Sequence, residues 1–387
     1  MLDFNYSIGT KIFFGRGKIN VLADNIKKYG SKVLLVYGGG SIKKSGLFDK
    51  ITDIFNSNNI EFFQLSGVEP NPKISSVRKG IEICRANEVD VILAVGGGSV
   101  IDCSKVIGAG YYYDGDAWDL VLKPRKITKV LPIATILTLA ATGSEMDSGA
   151  VISNLETNQK LPVFNPGMAP KFSILDPTNT FSVPKNQTAA GTADIMSHIF
   201  EVYFSNTSEA YLQNRMAEAL LKTCINYGEK AMDNPKNYEA RSNLMWTSSL
   251  AINGLLSYGK ETEWSVHAME HELSAFYDIT HGVGLAILTP PWMEYALNDK
   301  TVDKFVEYGV NVWGLESSCD KYEIANNAIK RTREHFIKLG LPTSLKSIGI
   351  NEEKLEIMAK QATKRGKLGS FKPLDANDVL NIYKSSL

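Results

Sequence analysis

Val91-Ile-Leu-Ala-Val95 runs directly into Gly96-Gly-Gly-Ser99, and Asp102, Lys105 and Val106 follow at helical spacing. The apolar run is too uniformly hydrophobic to be half-solvated. It reads as a strand covered on both faces, the mark of a parallel sheet. A strand, a glycine turn and a helix start together suit a pyrophosphate. Glycines admit the backbone close to the anion, and the helix N-terminus offers N–H groups and positive potential. Gly97, Gly98 and Ser99 are placed for that task, with Ser99 as N-cap or phosphate ligand. The pattern is neither G-x-G-x-x-G nor a P-loop ending in G-K-[S/T], and a plain tight turn would also use these glycines.

Two further loops repeat the theme. An apolar stretch at 33–37 leads into Gly38-Gly-Gly-Ser41-Ile-Lys-Lys44, and Thr138-Leu-Ala-Ala-Thr142-Gly-Ser144-Glu145 follows a strand pattern at 130–134. Loops ending neighbouring strands of one sheet suggest a crevice for an extended dinucleotide. Ser41, Lys43 and Lys44 stand where an acid would bind the adenosine ribose 2′-OH. The loop should therefore tolerate or bind a 2′-phosphate, although both lysines could equally face solvent. The loop leans mildly towards NADPH, and NADH stays open.

Strand patterns at 11–14, 33–37, 60–65, 89–95 and 130–134 alternate with helical ones, such as Ile19, Leu22 and Ile26, or Val77, Ile81 and Cys84. This alternation predicts an α/β, Rossmann-like domain with a parallel sheet and right-handed crossovers. Asp176-Pro177 and Pro184 punctuate a loop, after which only helical patterns occur, at 211–227, 240–256, 302–313 and 322–339. The expected division is an α/β dinucleotide-binding domain at 1–184 and an all-α domain at 185–387, the latter carrying metal and substrate. At 387 residues, two domains are the natural expectation.

Lys plus Arg and Asp plus Glu both number 42, so charge makes no case for nucleic acid or an anionic membrane surface. Cys84, Cys103, Cys224 and Cys319 are scattered, which argues against a disulfide framework or a structural zinc knot. No apolar run is long enough to span a bilayer, and the first residues lack a signal-peptide pattern. A cytoplasmic location is expected.

The chain has 5 histidines, and His198, His267, His271 and His281 cluster with Asp194 in what read as two helical segments. Asp194 and His198 are i, i+4 and share a helical face. Imidazoles with a carboxylate suit a divalent first-row metal and leave room for an open position. His267-Ala-Met-Glu270-His271 also matches H-x-x-E-H, an inverted zinc-hydrolase motif. That alternative leaves Asp194, His198 and the glycine loops without a role. Trp264, beside this segment, reads either as a pocket wall or as core.

Gly96-Gly-Gly-Ser-Val-Ile-Asp102-Cys-Ser-Lys105 resembles GGGSxxDxAK, and Thr142-Gly-Ser-Glu145 resembles TGSE. With Asp194-x-x-x-His198, His267 and His281-Gly282, these motifs resemble the iron-containing (group III) alcohol dehydrogenases over essentially the full chain. Leu137-Thr-Leu-Ala-Ala-Thr-Gly-Ser-Glu145 departs from the common PTTxGTGSE, and Gly38-Gly-Gly-Ser41 stands where many members carry an aspartate. Both departures look like the butanol dehydrogenase subgroup.

The resemblance implies a dehydroquinate synthase-like fold. It also implies an alcohol dehydrogenase or aldehyde reductase that moves hydride to or from NAD(P)H at one divalent metal, with Fe2+ first and Zn2+ second. Asp194, His198, His267 and His281 would hold the metal, and His271 would relay the hydroxyl proton. Gly97, Gly98 and Ser99 would cradle the pyrophosphate, with Asp102 and Thr142 alongside. Thr138, Ser144 and Lys160 would line the adenine and nicotinamide-ribose ends. Gly39, Gly40, Ser41 and Asn71 would surround the adenosine ribose. A small alcohol or aldehyde substrate and a homodimer are implied. A non-dehydrogenase member of the same superfold and a regulatory dinucleotide binder are the remaining alternatives.

Overall fold

The computed structural model describes residues 1–387. The parallel sheet forms as the apolar strand patterns predict, with six strands in the order β1-β8-β5-β4-β2-β3. These are β1 (Lys11–Phe14), β2 (Lys32–Tyr37), β3 (Glu61–Leu65), β4 (Val91–Gly96), β5 (Ile133–Leu137) and β8 (Phe172–Leu175). Every pairing among them is parallel. Between β5 and β8 lies an antiparallel hairpin that the sequence reading does not anticipate, β6 (Gly149–Asn154) with β7 (Gln159–Phe164). The strand expected at 130–134 begins at Ile133 instead, directly after Pro132, which has no N–H to give a ladder.

Six helices accompany these strands: α1 (Leu22–Ile26), the single turn α2 (Ser41–Lys44), α3 (Leu47–Ser57), α4 (Ile74–Asn87), α5 (Gly98–Gly110) and α6 (Ala117–Leu122). Side chains alternate along each strand, so both sheet faces need cover. Val33, Leu35, Val91, Leu93 and Val95 pack with Leu22, Ile26, Ile51 and Phe55. Leu34, Val36, Ile92 and Ala94 pack with Val77, Ile81, Cys84, Val106 and Ile107.

The second half is helical: α7 (Lys185–Tyr203), α8 (Tyr211–Asp233), α9 (Tyr238–Ile252), α10 (Ser265–Tyr277), α11 (His281–Ala296), α12 (Val302–Trp313), α13 (Lys321–Lys338), α14 (Leu355–Ala362) and α15 (Ala376–Ser385). Helix α7 is buried continuously from Thr188 to Tyr203 and forms the axis of this part. At its C-terminal end, Phe200 packs against Phe204 and Tyr308, with Trp292 and Phe305 in the same core. No helix is long and apolar enough to cross a membrane.

The chain divides into two compact units, but the uninterrupted division at 184/185 needs correction at two segments. Residues 236–249 belong with the sheet, and residues 1–6 belong with the helices. Met245 joins the core on one sheet face, Trp246 meets Phe14 edge-on at 5.9 Å, and Arg16 lies over the Tyr238 ring at 5.1 Å. An amphipathic helix carries no label saying which core its apolar side will enter. The pattern at 240–256 is therefore compatible with either unit.

Candidate metal centre and nucleotide loops

Helix α7 carries Asp194 and His198 one turn apart, α10 carries His267 and His271, and His281 is the first residue of α11. The ligand set thus comes from three helices rather than two segments. Asp278 at φ 49° ends α10, and the chain restarts at His281. Close approach of α11 to α7 depends on Gly282, because a Cβ there would lie 2.0 Å from the Ala190 carbonyl oxygen.

Asp194 Oδ1 lies 3.6 Å from His198 Nε2, 3.9 Å from His267 Nε2 and 3.8 Å from His281 Nε2. The His198 and His267 rings stack at 4.7 Å. His267 Nε2 is buried with no hydrogen-bond partner, which in a polar cluster marks an atom kept for a ligand. Burial first, and then His267 and His281 nearby, hold the His198 pKa well below the ordinary imidazole value. Its ring is therefore neutral and has a lone pair to give. Asp194, His267 and His281 bring their ligand atoms within 4.8 Å of one another, His198 Nε2 lies beside the same Asp194 oxygen, and this donor chemistry fits a divalent first-row cation.

Two acids complete this arrangement: Glu201, which the sequence leaves without a role, and Glu270, the acid of the H-x-x-E-H alternative. Glu201 Oε1 accepts the His267 backbone N–H at 2.9 Å and faces His267 Nδ1 at 3.1 Å. Glu270 Oε2 faces His281 Nδ1, while its Oε1 accepts from the Ser274 hydroxyl. A carboxylate on Nδ1 fixes the tautomer that leaves Nε2 as the ligand atom and makes it more basic. Both acids carry a signal readable in hindsight: each sits three residues after a ligand, on the next turn of the same helix. His198 has no such partner, and its Nδ1 is buried without a hydrogen bond.

His271 stands apart from the Asp194 set. It groups with Glu270 and His281, is half-buried, and its ring lies 6.4 Å from that of His267. The H-x-x-E-H reading finds no support in this geometry. Both Glu270 oxygens are engaged within the fold, and His267 and His271 fall into different donor groups.

In the other unit, the loops gather at the C-terminal ends of β2, β4 and β5, which are neighbours in the sheet. Gly97, rather than Ser99, is the N-cap of α5, and no side chain caps that helix start. Ser99 lies inside the first turn, so its expected capping role is corrected. Gly98 meets the Thr142–Ser144 loop so closely that a Cβ would fall 2.4 Å from Thr142 Cγ2 and Oγ1. Thr138 joins through its N–H to the Gly96 carbonyl at 3.0 Å.

Asp102 and Ser144 are held in a buried network around Lys105, which is fully buried. The Lys105 ammonium donates to Ser144 Oγ at 2.9 Å, Asp147 Oδ1 at 2.5 Å and the Gly149 carbonyl at 2.7 Å. Ser144 in turn donates to Asp102 Oδ1 at 2.6 Å, and Asp102 Oδ2 accepts the Val151 N–H at 2.8 Å. Burial pushes the Asp102 carboxyl up to about 6 despite the nearby ammonium. Neither side chain is a simple open ligand, because each first ties the α5 start to the 142–147 loop and the hairpin.

Gly39 and Ser41 are exposed, and Gly40 turns the chain at φ 99°. The Lys43 ammonium rests over the Tyr37 and Phe48 rings at 5.4 and 4.9 Å, a cation–π site of its own. Asn71 and Lys160 are buried on either side of Ser153. Its N–H reaches the Pro72 carbonyl at 2.9 Å, and its ladder partner is Lys160.

A parallel-sheet unit with glycine loops and a helical unit with a carboxylate–histidine set together describe one known class. Residues 9–177 match the family pattern "Iron-containing alcohol dehydrogenase", and residues 188–387 match "Fe-containing alcohol dehydrogenase family, C-terminal". The chain belongs to the iron-containing alcohol dehydrogenase family. It is an oxidoreductase that interconverts alcohols and aldehydes with a nicotinamide cofactor.

Among its relatives, the NADH-dependent butanol dehydrogenase A of Clostridium acetobutylicum is 66% identical over 388 residues, covering 100% of both chains. The NADPH-dependent aldehyde reductase of Escherichia coli is 35% identical over 392 residues, again covering 100% of both. A crystal structure of NADH-dependent butanol dehydrogenase A from Thermotoga maritima superposes with a TM-score of 0.96 at 39% identity, covering 100% of this chain and 99% of that one.

Proposed function

We propose that this enzyme interconverts butanal and butanol, with NADH as its working coenzyme and iron held by Asp194, His198, His267 and His281. The observation that carries this reading is the approach of three imidazole Nε2 atoms to Asp194 Oδ1, at 3.6–3.9 Å. The butanol dehydrogenase relative at 66% identity supports the substrate and coenzyme. Lys43, stacked on Tyr37 and Phe48, is diverted from a 2′-phosphate, which also favours NADH.

When bound, the metal supplies a Lewis acid for a carbonyl or hydroxyl oxygen, and the nicotinamide supplies or accepts the hydride. The chain does the rest. Glu201 and Glu270 orient His267 and His281, and burial keeps His198 neutral. His271, half-buried and one turn from His267, moves the hydroxyl proton through its imidazole nitrogen. Gly97, Gly98 and Ser99 receive the pyrophosphate beside Thr142. Thr138 and Lys160 line the cofactor, while Gly39, Gly40, Ser41 and Asn71 surround the adenosine ribose. Asp102 and Ser144 hold this loop system in place.

A homodimer belongs to the same reading, since β1 ends the sheet with one edge unpaired. So does a cytoplasmic location, which suits a chain whose four cysteines are all free thiols.

The test is butanal reduction with NADH and with NADPH on protein of measured metal content, beside the His271→Ala variant. Activity should scale with bound metal and favour NADH, and His271→Ala should keep its metal while losing turnover. Turnover independent of metal or nicotinamide would defeat the reading. Sedimentation equilibrium reports the dimer.

A further inference from the structure

We infer that Trp264 sets the substrate specificity of this metal centre, its indole forming an apolar wall along which the carbon chain of the aldehyde lies. The inference rests on the proposed ligand set and aldehyde substrate. Trp264 is the N-cap of α10, three residues before His267, with φ 55° and ψ 18°. That left-handed conformation is unfavourable for a bulky side chain, and glycine or asparagine would take it more easily. Such a residue persists only where its surroundings over-determine it, and these outliers gather at functional sites.

The flanks of Trp264 are indeed clamped. The Glu263 N–H donates to the Glu201 carbonyl at 2.7 Å. The Glu263 carboxylate accepts from Ser265 Oγ at 2.6 Å and from the backbone N–H groups of Ser370 and Phe371 at 2.8 and 2.6 Å. Gly369 makes room for that carboxylate, since a Cβ there would lie 2.0 Å from Glu263 Oε1.

The strained turn aims the indole at the ligands. Its ring lies 5.1 Å from His267 at 66° and 6.1 Å from His198 at 57°. Those imidazoles belong to residues only 6% and 4% exposed, whereas Trp264 is half-buried. The indole therefore covers the ligands on one side and keeps apolar surface accessible. Trp264 also packs against the helical core, but unlike Trp292, which is 1% exposed and edge-on to Phe204 at 5.6 Å, it keeps part of its surface accessible. Of the polar neighbours of these residues, Glu263 and Glu270 are committed to hydrogen bonds within the fold, and Glu201 binds His267 through one oxygen. Beside the candidate metal centre, Trp264 presents a broad apolar face. A flat, rigid face accepts a linear chain and crowds a branched or aryl group next to the carbonyl.

The experiment compares wild type, Trp264→Phe and Trp264→Ala on butanal, 2-methylpropanal and benzaldehyde. Metal content and NADH KM are measured throughout. Calorimetry with butyramide and 2-methylpropanamide, unreactive analogues, gives a readout independent of turnover. In Trp264→Ala, kcat/KM for the branched and aryl aldehydes relative to butanal should rise about tenfold or more, the scale on which apolar pockets discriminate. The amide affinity ratio should move in the same direction, and Trp264→Phe should stay near wild type. A ratio that moves less than about twofold with metal retained overturns the inference, because a wall of this kind discriminates more strongly than that. Loss of metal from both variants also overturns it, since the indole would then be holding the ligands. Failure of the underlying reading is separate: it appears in wild type, as butanal turnover that does not depend on metal.

Discussion

Around Gly96–Ser99 the fold presents backbone, whereas around Asp194 it presents side chains. In the candidate nucleotide loops, missing side chains serve close packing at Gly96 and Gly98, where a Cβ would meet Val100 or Thr142, and leave open backbone at Gly39 and Gly40. The helices of the candidate metal centre instead deliver a carboxylate and three imidazoles from 194 to 281 and support two of those imidazoles with buried acids. A backbone site is vulnerable to added volume close to it. A side-chain site is vulnerable to loss of a donor, or of the group that orients the donor.

Removing a donor should have the largest effect. His267→Ala should lose stoichiometric metal and reduce butanal turnover about a thousandfold or more, matching the several kcal/mol a Lewis acid supplies. Metal analysis beside a steady-state assay checks this, and a fully loaded, active variant would remove His267 from the ligand set. Next come the orienting acids. Glu201→Gln and Glu270→Gln should each weaken metal binding about 10–100-fold in a chelator competition. Unchanged affinity would mean that packing alone orients the imidazoles.

On the backbone side, Gly98→Ala adds a methyl 2.4 Å from Thr142 atoms. It should raise the NADH KM about tenfold, as overpacking by 1–3 kcal/mol implies, with metal affinity unmoved. Thr142→Ser in the same chain should recover part of the loss, because it removes Cγ2. A drop in metal affinity would show that the two sites are not independent.

Gly39→Asp is a milder test, since a Cβ there meets nothing within 4 Å. Its effect should be electrostatic: NADPH KM up about tenfold and NADH KM nearly unchanged, through repulsion of the 2′-phosphate. Equal effects on both coenzymes would place this loop away from the ribose.

The smallest effect concerns Glu145, which is fully buried, accepts from Ser249 at 2.5 Å, and is pushed by burial from 4.5 up to about 7. A carboxyl raised in the folded state binds its proton more tightly there than in the unfolded chain. Its stabilisation is complete below about pH 4.5 and is lost as pH rises through about 7. Glu145→Gln has no such proton to lose, so its Tm should fall a few degrees less than that of wild type between pH 5 and pH 8. Parallel declines would show that Glu145 ionises normally.

Local features were readable where a few neighbouring residues suffice. Uniform apolarity at 91–95 followed by Gly96–Ser99 marks a buried strand and a helix start, and both are present. The hairpin was harder to read because Pro162 interrupts β7 and Gly149–Asn154 does not alternate. β8, Phe-Ser-Ile-Leu, carries the polar Ser173 at a buried position, so no continuous apolar run marks it. Glu201 has the spacing of an ordinary solvated helix acid and Glu270 that of a hydrolase base, whereas packing buries both against His267 and His281. Trp264 could be wall or core until its positive φ and its distance from the imidazoles were known.

By itself, then, the sequence determined the parallel sheet, the glycine loops, the run of helices and the residue types of the ligand set. Each depends on backbone preference and periodicity within a turn or two. The tertiary structure alone decided that residues 236–249 join the sheet unit, that three helices meet so that Asp194 faces three imidazoles, and that Glu201 and Glu270 stand behind them. Those outcomes rest on contacts between distant segments, such as Gly282 against Ala190, where missing volume rather than local propensity sets the approach of α11 to α7.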